Sequence, residues 1–179
     1  MGEDVAIVGL YCDFLSQQEQ SATNILGAIL KLLISRGVIP DYIREAFRKA
    51  KKELGGQSLP LHELVEILKE TIISLPRVFI CLDALDESPP EHRLELLRSI
   101  REIVRVSPNT RVFLTGRPHI DHEIMRCFGD AVQIPLSPTY SDIKSYLEMR
   151  LACDPEPYTM GNELRADIMR IIPEKISER

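Results

Sequence analysis

Several features that define common protein classes are missing from these 179 residues. None of the 9 glycines is followed by lysine, so the phosphate-binding motif G-x-x-x-x-G-K-[ST] is absent. No apolar run approaches the ~20 residues that span a bilayer, because the longest, Ile25 to Ile34, contains Lys31. The start, Met1-Gly2-Glu3-Asp4, is acidic where a secretory signal is basic. We therefore expect no membrane association and a cytoplasmic location.

The sequence also has no excess of basic residues and no closely spaced pair of cysteines. Lys and Arg total 22 against 27 Asp and Glu, which gives a net charge of −5, and no basic block is present. This balance argues against a nucleic-acid partner. The cysteines, Cys12, Cys81, Cys127 and Cys153, are far apart and do not cluster with histidines. They favour reduced thiols in an intracellular protein over disulfides or a zinc site.

Apolar runs alternate with segments of helical periodicity. The runs predict four short strands, at Val5–Cys12, Arg77–Asp83, Arg111–Thr115 and Ala131–Ile134. Helices are predicted at about residues 21–36, 40–54, 60–74, 90–106, 120–128 and 140–153, with capping boxes at Ser88 and Thr139 and a Gly55-Gly56 stop. Such alternation predicts a parallel sheet with right-handed crossovers. The predicted class is therefore α/β, a three-layer parallel sheet flanked by helices.

The second predicted strand ends in a cluster of carboxylates. Asp83 closes this strand, and Asp86 and Glu87 follow within a few residues. In open α/β sheets ligands collect beyond the carboxyl ends of the strands. A carboxylate there can hold hydrated Mg²⁺, and a second can orient or deprotonate water. The alternative is purely structural: Asp83 caps a turn, and its neighbours favour the next helix's N-terminus.

The third predicted strand leads into Thr115-Gly116-Arg117-Pro118. An arginine after a strand is commonly a surface cation. If this strand lies beside the second, however, Arg117 is near the acidic cluster and can face a terminal phosphate. Whether the two strands are neighbours is a question for the tertiary structure.

The two motifs together resemble a known family. The sequence VFICLDALDE followed by TRVFLTGRPH resembles the NACHT class of STAND NTPases, especially fungal NACHT proteins with a nephrocystin-3-like N-terminal domain. These proteins have a Walker B aspartate in D-[AG]-L-D-E and a sensor arginine in [ST]-[SG]-R-P. The resemblance extends over about residues 4 to 152, and includes DVAIVGLYCDF and AVQIPLSPTYSDIKSYLEMRL.

The resemblance implies a role for each matching residue. Asp83 would hold the Mg²⁺ shell, Asp86 or Glu87 would orient the attacking water, and Arg117 would sense the γ-phosphate. The implied cofactor is Mg-ATP or Mg-GTP. The family's Walker A lysine and Ser/Thr metal ligand should precede Val5, where only Met1 to Asp4 stand. We therefore expect weak or no nucleotide binding by this chain, and a P-loop NTPase-like fold truncated at its N-terminus.

The domain expectation follows from the same resemblance. Residues 1–152 are expected to form a partial NACHT domain with Walker B and sensor residues. Residues 153–179 should be a linker, marked by Pro155 and Pro157, and the start of a helical domain that Pro173 interrupts. Without the strand that leads into the P-loop, the sheet should expose unpaired edges and apolar surface, which favours self-association.

Three functions fit these observations. The first is a NACHT-type signal-transduction module, which in full-length relatives switches with nucleotide and contacts other NACHT chains or signalling proteins. The second is a non-catalytic interaction or oligomerisation module that keeps the fold. A Mg²⁺-dependent phosphatase or nuclease using Asp83 and Asp86 is the third, but the chain has no D-x-D nucleophile motif and no basic substrate groove.

Overall fold

The computed structural model describes residues 5–35, 37, 39–53, 59–156 and 159–177. Met1 to Asp4 and the predicted Gly55-Gly56 stop lie outside them. The first part of the chain carries three strands and five α-helices in the described residues: β1 (Ala6–Tyr11), α1 (Ala22–Ile34), α2 (Asp41–Glu53), α3 (Leu61–Ile73), β2 (Val78–Asp83), α4 (Pro90–Val106), β3 (Thr110–Leu114) and α5 (Asp121–Cys127). Two further helices follow, α6 (Tyr140–Ala152) and α7 (Asn162–Ser177).

The strands form one parallel sheet in the order β1-β2-β3. Tyr11 pairs with Asp83, and Leu82 pairs with Leu114, so all three strands end at the same edge. The parallel α/β prediction is therefore confirmed. The structure also shows that the second and third strands are neighbours, a question that the sequence left open. Loops that leave parallel strands meet at one edge, and here that edge receives the residues after β1, β2 and β3.

One face of the sheet is covered by helices. Val8, Ile80 and Leu82 point into a core with the apolar stripes of α1, α3 and α4. Leu26, Leu68 and Leu97 represent these three helices in the core, and each is fully buried. Burying such a side chain contributes about 2 kcal/mol. This layer of helices fixes the sheet, and with it the edge where the strands end.

The opposite face keeps large apolar side chains exposed. Ile7 is 65% exposed, Tyr11 63% and Phe113 56%. Phe113 stacks on Phe79, with ring centroids 6.3 Å apart. The described part of residues 1–131 thus has two layers, and the predicted three-layer arrangement is wrong there. Apolar strands usually indicate a sheet buried on both faces, but burial also requires a covering element, which strand composition cannot supply.

The predicted fourth strand is also wrong. Residues 131–139 contain neither helix nor strand, and Val132, Ile134 and Leu136 are exposed. A strand exists only through its ladder of hydrogen bonds with a neighbour. Among the described residues, this segment pairs with no strand, so its apolar composition is not sufficient.

Of the two capping boxes that the sequence predicted, the structure contains one. Thr139 and Asp142 form the predicted reciprocal capping box at α6. The box predicted at Ser88 is wrong: Pro89 is the N-cap of α4, and the buried Ser88 hydroxyl has no hydrogen-bond partner among the residues that the structure describes. Pro90 is the first residue of α4, a position where the fixed φ of proline suits the helix. The predicted loop after β1 contains a 3₁₀ helix, Phe14–Glu19.

The structure divides into two compact units, residues 1–131 and 132–179. The second contains α6 and α7, so α6 groups with α7, whereas the sequence suggested a break after residue 152. Helix α7 continues through Pro173, where the sequence predicted an interruption. No helix in the described ranges is long and apolar enough to cross a membrane.

Candidate functional site

Three loops meet at the carboxyl edge of the sheet. Main-chain hydrogen bonds continue past the strands: Cys12 N donates to Asp83 O at 2.9 Å, and Leu85 N donates to Thr115 O at 2.9 Å. The three strand ends are therefore locked in register. The side chains that follow them form the candidate strand-end site, which comprises Asp83, Asp86, Glu87, Thr115 and Arg117.

Asp83 is the last residue of β2, and its side chain is exposed. Its Oδ1 accepts hydrogen bonds from the Thr115 hydroxyl and from Ala84 N, the latter at 3.1 Å. Ala84 N also lies 2.9 Å from Thr115 Oγ1. Ala84 has φ 53° and ψ 43°, a left-handed conformation that costs a residue with a Cβ about 1 kcal/mol. This turn directs the chain sharply away from the strand and leaves the Asp83 carboxylate at the edge.

Asp86 connects the loop after β2 to the loop after β3. Its Oδ1 accepts a hydrogen bond from Arg117 N at 3.2 Å, and its Oδ2 lies 3.4 Å from Arg117 Nε. The Asp86 side chain is only 6% exposed, whereas that of Arg117 is 73% exposed. A Cβ on Gly116 would be 2.6 Å from Ile120 Cδ1, so glycine permits the close approach of this loop. Arg117 is thus held at its base while its guanidinium faces solvent.

Glu87 connects the loop after β2 to the segment after β1. Its Oε2 accepts a hydrogen bond from Phe14 N at 2.9 Å, and its carbonyl oxygen accepts one from Gln17 Nε2 at 2.8 Å. Asp13 caps the same 3₁₀ helix through Leu15 N. In this conformation Asp86 and Glu87 accept hydrogen bonds from the protein, which stabilises the three loops as one unit.

The clustered negative charge affects neighbouring groups. The pKa of the exposed Tyr11 hydroxyl is raised, first by the charge of Glu87 and also by Asp13, Asp83 and Asp86. Burial raises the pKa of the Cys12 thiol, and the nearby carboxylates raise it further. The carboxylates contribute to both shifts, and negative charge clustered at one edge favours a cation.

The oxygen atoms of the strand-end site determine whether it can hold Mg²⁺. The described residues contain no group of three or more His, Cys, Asp and Glu side chains arranged to hold a metal. Magnesium usually keeps several waters and binds through one or two carboxylates together with substrate phosphates. Both protein donors to Asp83 use Oδ1, so Oδ2 is directed away from those bonds. Asp83 and the Thr115 hydroxyl therefore fit a hydrated cation, although not a protein-enclosed metal.

Comparison with known proteins shows the family of the chain. The family model described as Nephrocystin 3, N-terminal, matches residues 2–117, well over half of the chain. The chain belongs to the nephrocystin 3 N-terminal family. All four candidate residues, Asp83, Asp86, Glu87 and Arg117, lie in the matched segment. No curated protein and no solved structure matched the chain.

The sequence identified the charged members of the site but missed their partners. Thr115 could have been found from the sequence, since it is a hydroxyl residue directly after an apolar strand. Gln17 and Arg93 could not: Gln17 lies in a polar segment, and Arg93 is on a helix where an arginine is ordinarily exposed. In the structure Arg93 is buried beneath the loop after β2.

Proposed function

We propose that this member of the nephrocystin 3 N-terminal family is part of a NACHT-type signal-transduction NTPase module, which in full-length relatives switches with nucleotide. The observation that carries the proposal is the placement of Asp83 and Arg117 at the same sheet edge, after neighbouring parallel strands. A carboxylate for a hydrated cation beside an arginine for a phosphate is the arrangement expected at a nucleoside triphosphate.

Each residue is assigned the task that its environment permits. Asp83, with the Thr115 hydroxyl, would hold the hydrated Mg²⁺ of Mg-ATP or Mg-GTP. Arg117 has an exposed guanidinium, so it can reach a terminal phosphate while Asp86 holds its backbone. Asp86 or Glu87 would orient water once a nucleotide and its cation rearrange their present hydrogen bonds. Magnesium, when bound, would neutralise charge on the phosphates.

We do not expect efficient hydrolysis from this chain by itself. Backbone amides and the lysine of a glycine-rich loop provide much of the phosphate binding in P-loop NTPases, and this sequence contains no Gly-Lys pair. Titration calorimetry with Mg-ATP and with Mg-GTP should give no binding in the micromolar range. Micromolar binding of either nucleotide would contradict this part of the proposal.

A paramagnetic titration tests the site directly. Mn²⁺ with ATP at high concentration should broaden the backbone NMR signals of residues 83–87 and 115–117 more than those of the helices. Asp83→Asn should abolish this selective broadening, since it removes the carboxylate charge with little change in size. Glu45→Gln, an exposed substitution on α2, is the matched control and should leave the broadening intact.

The titration can also contradict the proposal. If wild-type protein shows no selective broadening at the strand ends, or if the broadening persists in Asp83→Asn, the assigned cation site is wrong. Repeating the titration with GTP distinguishes the two nucleotides.

A second candidate function, a non-catalytic interaction or oligomerisation module, is favoured by a different observation. The sheet face with Ile7, Tyr11 and Phe113 is apolar and exposed, and exposed apolar patches commonly mark protein contacts. The partners would be other NACHT-type chains or signalling proteins. Sedimentation analysis over a range of concentrations tests self-association, and a monomer at every concentration would count against contacts between copies.

A further inference from the structure

We propose that Arg93 is a positioning residue that fixes the two loops of the strand-end site relative to each other. The inference deepens the proposed function and rests on it for its biological meaning, because the loops in question carry Asp86 and Arg117. The effect of the buried Arg93 guanidinium on the environment of Arg117 can be measured whether or not nucleotide binds.

The contacts of Arg93 extend in two directions. Its Nε and Nη2 donate to the two carboxylate oxygens of Glu123 on α5, at 2.7 and 2.8 Å. Its Nη1 donates to the carbonyl oxygen of Ser88 at 2.8 Å, with Asp86 O at 3.4 Å. One side chain therefore joins the loop after β2 to the helix that follows the loop after β3.

Burial makes this connection rigid. Arg93 is 4% exposed, so water competes little for its hydrogen bonds. The planar guanidinium matches a carboxylate with two parallel hydrogen bonds and still has a donor for the carbonyls. A lysine ammonium at the same place keeps the charge but cannot reproduce this fork. The geometry therefore requires arginine in particular, rather than a positive charge in general.

The link from Arg93 to Arg117 passes through Asp86. Arg93 holds the main chain of residues 86–88, and the Asp86 carboxylate in turn accepts from Arg117 N and faces Arg117 Nε. From the other side, Glu123 holds α5, which begins four residues after Arg117. A displacement of the loop after β2 or of α5 would therefore shift the Asp86 carboxylate relative to Arg117. The hydrogen bonds of Arg93 to this loop go to the main-chain carbonyls of Asp86 and Ser88, so its role is positioning.

NMR of the full chain tests the proposal through the Nε–H signal and the backbone amide signal of Arg117, assigned by their loss or shift in Arg117→Lys. Arg93→Lys should move both signals by more than a linewidth. Glu123→Gln, which keeps the side-chain size, should move them in the same direction. Arg98→Lys, the matched control on the exposed side of α4, should leave both signals in place.

The outcomes separate positioning from simple stabilisation. If Arg93→Lys and Glu123→Gln lower the midpoint of thermal unfolding but leave both Arg117 signals unchanged, the positioning role is overturned. If Arg93→Lys does not fold, the same decision rests on Glu123→Gln. A failure of the proposed function would instead appear in wild-type protein, as the absence of Mn²⁺-nucleotide broadening, and it would not alter the Arg117 signals.

Discussion

The two faces of the sheet have similar strand composition but different surroundings. On one face Val8, Ile80 and Leu82 are buried under helices. On the other, Ile7 and Phe113 are mostly exposed, although Ile7 is next to the buried Val8 in β1 and Phe113 is in the adjoining strand β3. Since neighbouring residues in a strand point to opposite faces, the contrast is between positions one residue apart.

This difference shows that the two faces contribute unequally to stability. The covered face contains the core that holds the strands together, and the hydrophobic effect rewards burial there. The open face keeps apolar side chains in water, which contributes little to the stability of this unit and favours contact with other surfaces. The candidate strand-end site lies at the carboxyl edge of the sheet, where hydrogen bonds join the loops after the three strands.

The largest expected effect comes from truncating the covered face. Ile80→Ala should reduce the free energy of unfolding by about 3 kcal/mol, because it removes buried methyl groups and leaves a cavity. Urea denaturation measures the change. Cys81→Ala, the next residue on the opposite face, is the matched control and should cost under ~1 kcal/mol. If both variants lost the same free energy of unfolding, the two faces of the sheet would not differ in their contribution to stability.

A smaller effect is expected from the ion pair between α4 and α5. Glu123→Gln should cost about 2 kcal/mol at neutral pH, because Arg93 remains buried beside a neutral group. Arg93 lowers the pKa of Glu123, so this carboxylate stabilises the fold above its unfolded-state pKa. That contribution is lost as the pH falls through the lower, folded-state pKa.

The pH dependence provides the measurement for Glu123. In a series of denaturation curves from neutral to acidic pH, wild-type protein should lose more stability than Glu123→Gln, so the two curves should converge in acid. Glu45→Gln should run parallel to wild type throughout. A constant gap between wild type and Glu123→Gln would show that the charge of Glu123 is not the source of the stabilisation.

The smallest expected effect is on the open face. Phe113→Thr keeps a strand-forming residue but removes the stacking on Phe79, and it should cost about 1 kcal/mol. If the open face mediates self-association, the same substitution should raise the concentration at which dimers form in sedimentation experiments. A stability loss as large as that of Ile80→Ala would mean that Phe113 belongs to a buried core.

Local sequence patterns predicted much of the first unit. The apolar runs located β1, β2 and β3, and the periodic stripes located the helices, because both depend on alternation that is visible along the chain. Ala131–Ile134 had the same composition as a strand and was predicted wrongly, since pairing depends on a neighbour that composition does not reveal. Ser88 likewise had a capping pattern, but the adjoining prolines moved the N-cap to Pro89.

The sequence by itself determined the carboxylates of the site, the arginine that follows the next strand and the parallel α/β class. Side-chain chemistry and short-range periodicity are sufficient for these, because they are properties of neighbouring residues. Only the tertiary structure decided that β2 and β3 are adjacent, that Asp86 holds Arg117, that buried Arg93 joins their loops and that one face of the sheet is open. These features depend on which distant segments pack together, and burial and hydrogen-bond geometry exist only after that packing has formed.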